Sequence, residues 1–502
     1  MSTARMEELM EPENVNPAAA GGPLPFADAI ASLGASLRGE LIDADNEAYD
    51  DRRAVWNGTI DRRPRLIVRA RGVADVRAAL ALAREYSLPV SVRGGGHNVA
   101  GSAVVEDGVV IDLSLMRGVR IDPERRIAEV DGGALIGDVD TESQVFGLAA
   151  PFGVVSETGI AGLTLHGGLG FLSRRYGLSC DNLVGADVVT ADGSLVHASL
   201  ESNSDLLWAL RGGGGNFGVV TRFEYRLHPV GPEVFMVITM YPLDQAVAVV
   251  DAFRRFVETA PQEFSGICVF WTTPEGEPVV EENRGQPTVI VAGCWSGDLA
   301  EGERILAPLR TIATPLADLS GPLPFTIAQT LFDPEFPPGQ RHYWRSLFLD
   351  RVDDEIAAMA VRQTLSRPSM ISSIDIWALG GKLREEPVGG SAYAQRDRPY
   401  LLAYEANWQA PEEDAANIAW TKAACEEAAV YSSGGVYLNF PGFEDERASI
   451  IDATYGEKLA RLREIKAKYD PQNVFRSNIN VAPAGMTVTV PEMTVRSGAV
   501  RS

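Results

Sequence analysis

Two side chains that could do chemistry, an imidazole and a thiol, lie in the most glycine-rich parts of the chain. His97 follows three glycines in Ser91–Gly101 (SVRGGGHNVAG), and Cys180 lies in Glu157–Leu183, in the string YGLSCDNL. A third glycine cluster is Arg211–Phe223 (RGGGGNFGVVTRF). Consecutive glycines let main-chain N–H groups converge on an anion without interference from Cβ atoms, so such loops can cradle a pyrophosphate. Taken singly, each cluster is more often a set of tight turns in a β-rich fold.

The surroundings of His97 and Cys180 favour a functional role for both. The neighbours of His97 in sequence offer no apolar face, so we do not expect a packed core histidine. An imidazole at such a loop can shuttle a proton, donate a hydrogen bond or form a covalent link. Cys180 precedes Asp181, and this polar setting argues against an inert buried thiol. Each residue alone has a structural alternative, but the glycine clusters around both make the functional interpretation the stronger one.

The sequence has no P-loop motif, and its one GxGxxG-like string lies in the wrong context for a Rossmann loop. No glycine loop continues into Gly-Lys-Ser/Thr, which excludes a P-loop hydrolase at the level of the motif. A Rossmann loop leaves a strand and opens a helix, whereas RGGGGNFG follows a helical pattern, SDLLWALR, and precedes a strand pattern, VVTRFEYRL. A dinucleotide would therefore be bound by a different fold.

The charge balance argues against polyanionic partners. The 502 residues include 45 basic and 68 acidic side chains, a formal net charge of −23. Such a surface would repel phosphate backbones and anionic lipid, so we expect no nucleic-acid and no membrane partner. The four cysteines and five histidines are scattered, without CxxC or HExxH, so no metal site is predicted. Because no signal sequence and no apolar run of ~20 residues is visible, we expect a cytoplasmic protein.

The pattern of predicted elements changes once along the chain. Apolar periodicity predicts a helix over Phe26–Leu37, and a strand at Leu66–Ala70 begins an α/β passage. The region Ser87–Leu227 is rich in glycine and short strands. Over Val234–Val430, strands alternate with amphipathic helices, which indicates a second domain.

Four strings taken together resemble the berberine-bridge-enzyme-like FAD-linked oxidases, which have the vanillyl-alcohol-oxidase/p-cresol-methylhydroxylase (VAO/PCMH) type of flavin fold. In the family's order they are RPRLIVRARGVADVRAALALAREYSLPVSVRGGGHNVAG, TGIAGLTLHGGLGFLSRRYGLSCDNLVGADVVTADG, DLLWALRGGGGNFGVVTRF and YDPQNVFRSNINVAP. The resemblance covers about Arg63–Leu227 and Val436–Pro483, whereas the middle of the chain is similar to the family's substrate domain only loosely.

This resemblance implies a two-domain α+β fold, in which an FAD-binding domain is joined to a substrate domain of antiparallel sheet covered by helices. The expected boundaries are a flexible tail over 1–25, the FAD-binding domain over 26–230, the substrate domain over 231–430, a C-terminal segment returning to the FAD domain over 431–483 and a second tail over 484–502.

The resemblance also implies a covalently held flavin. In the family, the histidine of the RGGGH loop is joined to the flavin 8α-methyl carbon, and His97 holds that place. In a subgroup, a cysteine in the GLxCDN string forms a thioether to flavin C6; Cys180 matches it, so we expect a bicovalent FAD. Two links would fix the ring in an open pocket and raise its reduction potential, which favours hydride acceptance from poorly activated C–H bonds.

Further cofactor contacts are implied at the positions that match the family's strings. His166, on the same glycine string as Gly162, either lines the cofactor or has a structural role. The pyrophosphate loop corresponds to Arg93, Gly94, Gly95, Gly96, Asn98, Gly101 and Ser102. The residues expected along the cofactor are Thr158, Gly159, Ile160, Ala161, Gly162, Gly167 and Gly168. Gly218 and Val220 are expected near its adenine end, and Asn478 and Asn480 beside the flavin.

The catalytic base is expected in YLNF (Tyr437–Phe440), which resembles the family's Tyr-x-Asn element beside the flavin. In a strand, Tyr437 and Asn439 would share one face and both point at the ring. A phenol with a pKa of ~10 is a poor base at neutral pH, so Tyr437 needs a lowered pKa, for example from a nearby arginine. Without the order of the motifs, a core aromatic would be the preferred interpretation of this tyrosine.

Three residues of the second domain are candidates for the substrate pocket. Tyr393, in GGSAYAQR, could reach the pocket from that domain. Asp375 and Trp377 alternate in IDIWALGG and so share one face of a strand. For that face, burial in the core is an equally good interpretation.

These residues predict an FAD-dependent oxidase that removes a hydride from an alcohol carbon of a bulky natural product and passes the electrons to dioxygen, giving H2O2. Secondary-metabolite tailoring, such as antibiotic biosynthesis, is the expected context. The alternatives are oxidation of an oligosaccharide at the anomeric carbon and an amine or C–C-forming oxidation. Dehydrogenase behaviour, a flavin carrier without turnover and a non-flavin binding module also remain open. The expected partners are a small-molecule substrate and dioxygen, and no oligomeric state is predicted.

Overall fold

The first domain is built from short strands and helices around glycine-rich loops. The computed structural model describes residues 24–276, 279–443 and 447–486, so the predicted tails lie largely outside it. The strands of this domain are β1 (Glu40–Ile42), β2 (Leu66–Arg69), β3 (Val90–Arg93), β4 (Val109–Asp112), β5 (Val119–Asp122), β6 (Ile127–Asp131), β7 (Leu148–Ala149), β8 (Leu183–Val189), β9 (Leu195–Ser199), β10 (Val219–Arg226) and β11 (His228–Pro229). Its α-helices are α1 (Phe26–Ser36), α2 (Tyr49–Arg53), α3 (Val73–Glu85), α4 (Ile136–Gln144), α5 (Ile160–Leu165), α6 (Ser173–Tyr176) and α7 (Ser204–Leu210).

Two sheets organise this domain. The sheet β1-β2-β4-β3 has β4 parallel to both β2 and β3, and α3 packs on it. All residues of β2 are buried, as expected for a parallel strand covered on both faces. In α3, Val76, Ala79, Leu80 and Ala83 follow the spacing of one helix face, and all four are buried. The second sheet, β5-β6-β10-β8-β9, is antiparallel throughout and carries the third glycine cluster just before β10.

The second domain is one large antiparallel sheet with helices on one side. The sheet order is β15-β12-β14-β13-β18-β19-β17, with β16 also paired to β12. Its strands are β12 (Glu233–Pro242), β13 (Phe264–Thr272), β14 (Pro287–Trp295), β15 (Ala317–Asp318), β16 (Gly321–Pro324), β17 (Arg341–Leu349), β18 (Ser373–Ala378) and β19 (Tyr400–Trp408). Its α-helices are α8 (Ala246–Thr259), α9 (Leu299–Leu306), α10 (Phe325–Ala328), α11 (Asp354–Leu365) and α12 (Asp414–Ala428).

The two faces of this sheet have different partners. In β13, Cys268 and Phe270 pack into the core beneath α8, α11 and α12, whereas Ile267, Val269 and Trp271 face a cavity. Side chains alternate between faces along a strand, so each strand contributes to both surfaces. The predicted α+β architecture, with helices covering an antiparallel sheet, is confirmed.

The C-terminal segment packs against the first domain. It contains α13 (Arg447–Tyr455) and α14 (Lys458–Tyr469), whose apolar residues join the core of the second sheet. The wholly buried Lys466 donates through Nζ to Asp470 Oδ2 at 2.6 Å, to the Asn216 main-chain oxygen at 2.7 Å and to that of Phe475 at 2.8 Å. These bonds tie the segment to the third glycine cluster. Within the described ranges, no helix is both long and apolar enough to cross a bilayer.

Candidate functional site

A cavity of about 440 Å³ lies between the two domains, and the three glycine clusters contribute to one wall of it. The opposite wall is the face of the large sheet that the helices leave uncovered. Among the residues expected to hold the cofactor, those that line the cavity are Gly94, Gly95, Gly96, His97, Asn98, Ser102, Thr158, Gly159, Ala161, Gly162, Gly218, Val220 and Asn478.

The first two glycine loops touch through their main chains. A Cβ atom on Gly95 would lie 2.5 Å from the Gly159 nitrogen, and one on Gly159 would overlap the Gly95 nitrogen. This approach therefore requires glycine at both positions. Gly162 differs, because a Cβ atom there would meet no atom within 4 Å. The absence of a side chain at Gly162 keeps this part of the cavity open.

The loop before His97 presents main-chain donors without acceptors. Within the described part of the chain, the N–H groups of Gly94, Gly95, Gly96 and Asn98 donate to no protein atom. No lysine or arginine is among the described residues that line the cavity. A pyrophosphate would therefore be held by N–H groups of the loop, as the glycine string predicts. The residues present fit a dinucleotide such as FAD.

His97 lies at the cavity wall and stacks on Trp56, with ring centroids 4.0 Å apart and an angle of 18° between the planes. Its sequence neighbours offer no apolar face, and Trp56, which lies outside the glycine cluster, supplies an aromatic one. Burial, together with the nearby His342, lowers the pKa of His97 to about 3. Its Nε2 is buried and has no hydrogen-bond partner among the described residues. A neutral imidazole with an available lone pair is the form that can bond to carbon.

Cys180 does not line the cavity, so the structure does not support its predicted link to the flavin. It is fully buried in a 3-10 turn (Ser179–Asn182) and packs among leucine side chains. The carboxylate of Asp181, which gave the string its polar character, pairs with Arg396 at 2.5 Å. Burial raises the pKa of the Cys180 thiol, and the charge of Asp181 raises it further. The sequence expectation of a reactive thiol is therefore wrong.

Several other expected cofactor residues also lie outside the cavity wall. The Arg93 guanidinium donates to the main-chain oxygens of Arg52 at 2.5 Å and Arg53 at 3.2 Å, at the end of α2. A Cβ atom on Gly101 would lie 2.7 Å from Ile60 Cγ1, so that glycine permits close packing. The full set outside the wall is Arg93, Gly101, Ile160, Gly167, Gly168 and Asn480.

Tyr437 and Asn439 both line the cavity, but from a turn and not from the predicted strand. The N–H of Phe440 donates to the Tyr437 main-chain oxygen at 2.8 Å and closes this turn. The Asn439 amide donates to Tyr437 Oη at 3.0 Å, and the Leu169 N–H donates to it at 2.8 Å. The Gly168 N–H also approaches this oxygen and favours its ionised form.

The pKa of Tyr437 is not lowered as expected. Burial raises it to about 12, although the amide groups of Asn439, Leu169 and Gly168 favour the phenolate and oppose this rise. These amides take the place of the arginine that the sequence led us to expect. Tyr437 is therefore protonated at neutral pH, and its donors are placed to stabilise the phenolate when the proton leaves.

A pair of carboxyl groups lies on the cavity face of the large sheet. Asp375 on β18 hydrogen-bonds to Glu405 on β19, and both side chains are buried. Burial raises the pKa of both carboxyls, and the charge of Asp375 further raises the pKa of Glu405. Like charges so close disfavour double ionisation, so the pair retains a proton at neutral pH. Trp377 lines the cavity beside them, as its alternation with Asp375 predicts.

Apolar and aromatic side chains form most of the substrate side of the cavity. The polar side chains Ser373, Asp375, Glu405 and Asn407 come from the paired strands β18 and β19, and together they form one polar area. The apolar lining on this side comprises Ile238, Met240, Ile267, Val269, Trp271, Ile290, Ala292, Leu319, Leu331, Phe332, Phe336, Trp344, Ile371, Trp377 and Phe440.

Tyr393 and His166 differ in their position relative to the cavity. Tyr393 is not in the cavity wall; it packs beside Tyr437 near Gly167, and its ring lies under the Arg396 guanidinium at 5.6 Å. The expectation that it reaches the substrate is therefore not supported by its position. His166 lines the cavity, and its Nδ1 lies 2.9 Å from the Gly162 main-chain oxygen.

Sequence reasoning missed four residues at or beside the site. Glu405 and Asn407 are polar positions in the apolar strand pattern LLAYEANWQA, which was the available signal. Trp56 lies between the predicted helix and the predicted strand Leu66–Ala70, before the start of the matching strings. His342 had no local signal, because its role depends on contacts with residues distant in sequence.

Comparisons with known proteins agree with this geometry. The family described as "FAD binding domain" matches residues 64–199, and that described as "Berberine and berberine like" matches residues 436–482. The chain is 33% identical to (R)-6-hydroxynicotine oxidase of Paenarthrobacter nicotinovorans, over 90% of this chain and 98% of that protein. It is 28% identical to glucooligosaccharide oxidase of Sarocladium strictum, over 88% and 92%. The crystal structure of 6-hydroxy-D-nicotine oxidase from Arthrobacter nicotinovorans superposes with a TM-score of 0.78 at 29% identity, over 89% of this chain and 98% of that one.

Proposed function

The chain belongs to the berberine-bridge-enzyme-like FAD-linked oxidoreductases of the VAO/PCMH fold, and from this we propose that it oxidises an alcohol carbon of a bulky, largely apolar natural product. The observation that carries this proposal is Tyr437, whose hydroxyl oxygen accepts hydrogen bonds from the Asn439 amide and the Leu169 N–H at the wall of an apolar cavity. Dioxygen is the proposed electron acceptor, with H2O2 as the second product.

Tyr437 is the proposed general base. When bound, FAD supplies the acceptor for the hydride that leaves the substrate carbon. As a phenolate, Tyr437 removes the hydroxyl proton, so a carbonyl can form as the hydride departs. Asn439 and the N–H groups of Gly168 and Leu169 stabilise the phenolate before this transfer. The apolar wall excludes water, which strengthens these hydrogen bonds.

The lining favours an apolar alcohol over an oligosaccharide. A sugar chain presents hydroxyl groups along its whole length, and each buried hydroxyl without a partner is costly. Here the polar side chains of the sheet come from two paired strands. Glu335, in a 3-10 turn, adds one carboxyl group, and the other side chains on the substrate side are apolar. Such a cavity suits a substrate with one polar end and a broad apolar or aromatic body.

Amine oxidation is the second candidate, and the Asp375–Glu405 pair favours it. Two buried carboxyls that retain one proton have one net negative charge, which matches one protonated nitrogen. A relative of this chain is named for oxidation of a nicotine derivative. Under this candidate, the carboxyl pair binds the cation, and the apolar wall holds the remainder of the substrate.

For the cofactor, we propose a single covalent link, at His97. Its ring lies in the wall of the cavity with a buried nitrogen that has no partner among the described residues. The second link expected from Cys180 has no support from its position behind the cavity wall. We therefore propose a monocovalent flavin in place of the predicted bicovalent one.

Peroxide release from matched probes tests the substrate class. The purified holoenzyme would be supplied with benzylic and terpenoid alcohols, cellobiose, or N-methylated benzylic amines. We expect peroxide from the alcohols and none from cellobiose, and we expect Tyr437→Phe to abolish it. Turnover of cellobiose in preference to all apolar alcohols would contradict the proposal. Turnover of amines alone, lost in Glu405→Gln, would support the second candidate.

A further inference from the structure

Trp56 lies between two histidine rings that come from different domains. Its centroid is 4.0 Å from that of His97 and 3.8 Å from that of His342, with interplanar angles of 18° and 7°. His97 follows β3 in the first domain, whereas His342 is on β17 of the large sheet. The three rings therefore form one stack across the domain boundary.

The residues around Trp56 form hydrogen bonds with β17 and with the two residues that precede it. Asn57 accepts a hydrogen bond from the His342 N–H at 3.0 Å, and its Nδ2 donates to the His342 main-chain oxygen at 2.9 Å. The Gly58 N–H donates to the Gln340 oxygen at 2.8 Å, and the Gly339 N–H donates to the Trp56 oxygen at 2.9 Å. Docking of β17 thus fixes the position of Trp56.

The ring of His342, at one end of the stack, is oriented by residues that line the cavity. Asn407 Oδ1 lies 2.8 Å from His342 Nδ1 and accepts a 2.7 Å hydrogen bond from Trp344 Nε1. Because this amide oxygen can only accept, His342 Nδ1 must be a donor. Both Asn407 and Trp344 line the cavity. The orientation of His342 is therefore set by side chains of the substrate wall.

We propose that Trp56 and His342 are positioning residues for covalent attachment of FAD to His97, so that attachment requires the docked second domain. This inference rests on the His97 link proposed above. The stack holds the imidazole plane and excludes water from one face of it. The low pKa of His97 agrees with this placement, since a dry ring stays neutral and keeps its lone pair.

The attachment step balances in atoms and electrons. One ring nitrogen of His97 forms a bond to the 8α carbon of FAD, while that carbon loses a hydrogen as a proton and the imidazole loses its N–H proton. The two electrons of the broken C–H bond reduce the flavin. Dioxygen then takes those two electrons and two protons and becomes H2O2. His97 must be neutral and held in place for this step, and both conditions depend on the stack.

The test compares covalent flavin content among purified holoproteins made with excess riboflavin. Trp56→Leu and His342→Ala remove the stacking surfaces, whereas Trp56→Phe and His342→Phe retain an aromatic face. His228→Ala is the matched control, because His228 stacks on Tyr176 at 4.0 Å and bonds to Asn182 at 2.7 Å, away from the cavity. Acid precipitation followed by intact mass measures the attached fraction, and absorbance of the native protein measures total flavin.

We expect Trp56→Leu and His342→Ala to bind flavin but attach it about 10- to 100-fold more slowly, the range for a misplaced reactive group. The aromatic variants and His228→Ala should attach it as wild type does. In the two defective variants, His97 should regain a pKa near ~6.5, so attachment should slow as pH falls from 7.5 to 5.5. Wild type should show no such slowing, because its His97 stays neutral over this range.

Full attachment in both stack-removing variants, with a flat pH profile, would overturn the inference. If Trp56→Leu does not fold, the His342 pair of variants decides the question. Equal slowing in His228→Ala would also contradict it, because the effect would then be a general loss of packing. Absence of covalent flavin in wild type would instead remove the His97 link on which the inference rests.

Discussion

The side-chain amide of Asn439 lies 3.0 Å from the hydroxyl oxygen of Tyr437 and donates a hydrogen bond to it. The two residues are in a turn, and the same hydroxyl oxygen also accepts a hydrogen bond from the Leu169 N–H on the glycine-rich segment. The C-terminal segment and the second glycine cluster thus form a single phenolate-stabilising site. This site has direct consequences for catalysis and its pH dependence.

Replacement of Tyr437 by phenylalanine should remove the base and little else. We expect kcat to fall about 10²- to 10⁴-fold, the usual contribution of a general base, with a small change in KM. Anaerobic stopped-flow reduction of the flavin by the best alcohol of the panel measures this directly. Tyr393→Phe is the matched control, because Tyr393 packs beside Tyr437 without lining the cavity. Equal loss in both variants would contradict the assignment of the base.

The reduction rate should rise with pH, because the active form of Tyr437 is the phenolate and its pKa is raised to about 12. In Asn439→Ala one donor to the phenolate is lost, so the pKa should rise further. We expect the ascending limb of kcat/KM to move upward by about one pH unit, so kcat/KM at a given pH falls about tenfold, equivalent to one hydrogen bond of ~1.4 kcal/mol. A limb that moves downward, or a rate that is flat from pH 6 to 10, would argue against a tyrosine base.

The Asp375–Glu405 pair should make stability fall as pH rises. Both carboxyls have pKa values raised by burial in the folded state, so the folded protein binds more protons than the unfolded chain. Their stabilising effect is complete below the unfolded pKa of about 4 and is lost as pH rises through the folded values. At pH 8, Asp375→Asn/Glu405→Gln should therefore be more stable than wild type by on the order of 2 kcal/mol.

Urea unfolding at pH 4 and pH 8 checks this expectation. The gain of the double variant over wild type should shrink at the lower pH. The contrary result is a stability difference, double variant minus wild type, that is lower at pH 8 than at pH 4. It would mean that the pair is ionised and stabilising in the folded protein.

Lys466 should be a major determinant of the C-terminal segment's attachment. Its Nζ is wholly buried and bonded to Asp470 and to two main-chain oxygens, so Lys466→Met leaves the Asp470 carboxylate without its cation. Breaking one partner of such a buried pair costs about 3–5 kcal/mol. Lys468→Met is the control, because Lys468 is exposed and pairs with Asp205 at the surface.

Chemical unfolding of the two lysine variants distinguishes these roles. The Lys468 variant should lose at most about 1 kcal/mol. Comparable losses in both variants would mean that the buried pair has no special contribution.

The parts of the site that the sequence predicts are those encoded within short strings. The glycine loops, the pairing of Tyr437 with Asn439 and the shared face of Asp375 and Trp377 all follow from local spacing. The strand assigned to Tyr437–Phe440 was wrong, although a turn brings the same two side chains together.

The errors arose where a distant residue decides the environment. Asp181 made the Cys180 string look polar, but the carboxylate of Asp181 pairs with Arg396 from the second domain. The thiol, which donates to the same carboxylate at 3.7 Å, is fully buried against an apolar cluster. The stacking of Trp56 between His97 and His342 likewise depends on how the two domains dock. No local pattern can reveal such contacts.

The most direct test of a flavin held by His97 is the intact mass of acid-precipitated wild type, His97→Ala and Cys180→Ala. We expect wild type and Cys180→Ala to retain the mass of one FAD, and His97→Ala to release its flavin into the supernatant. Retention of the flavin in His97→Ala, together with its loss from Cys180→Ala, would contradict the single link at His97.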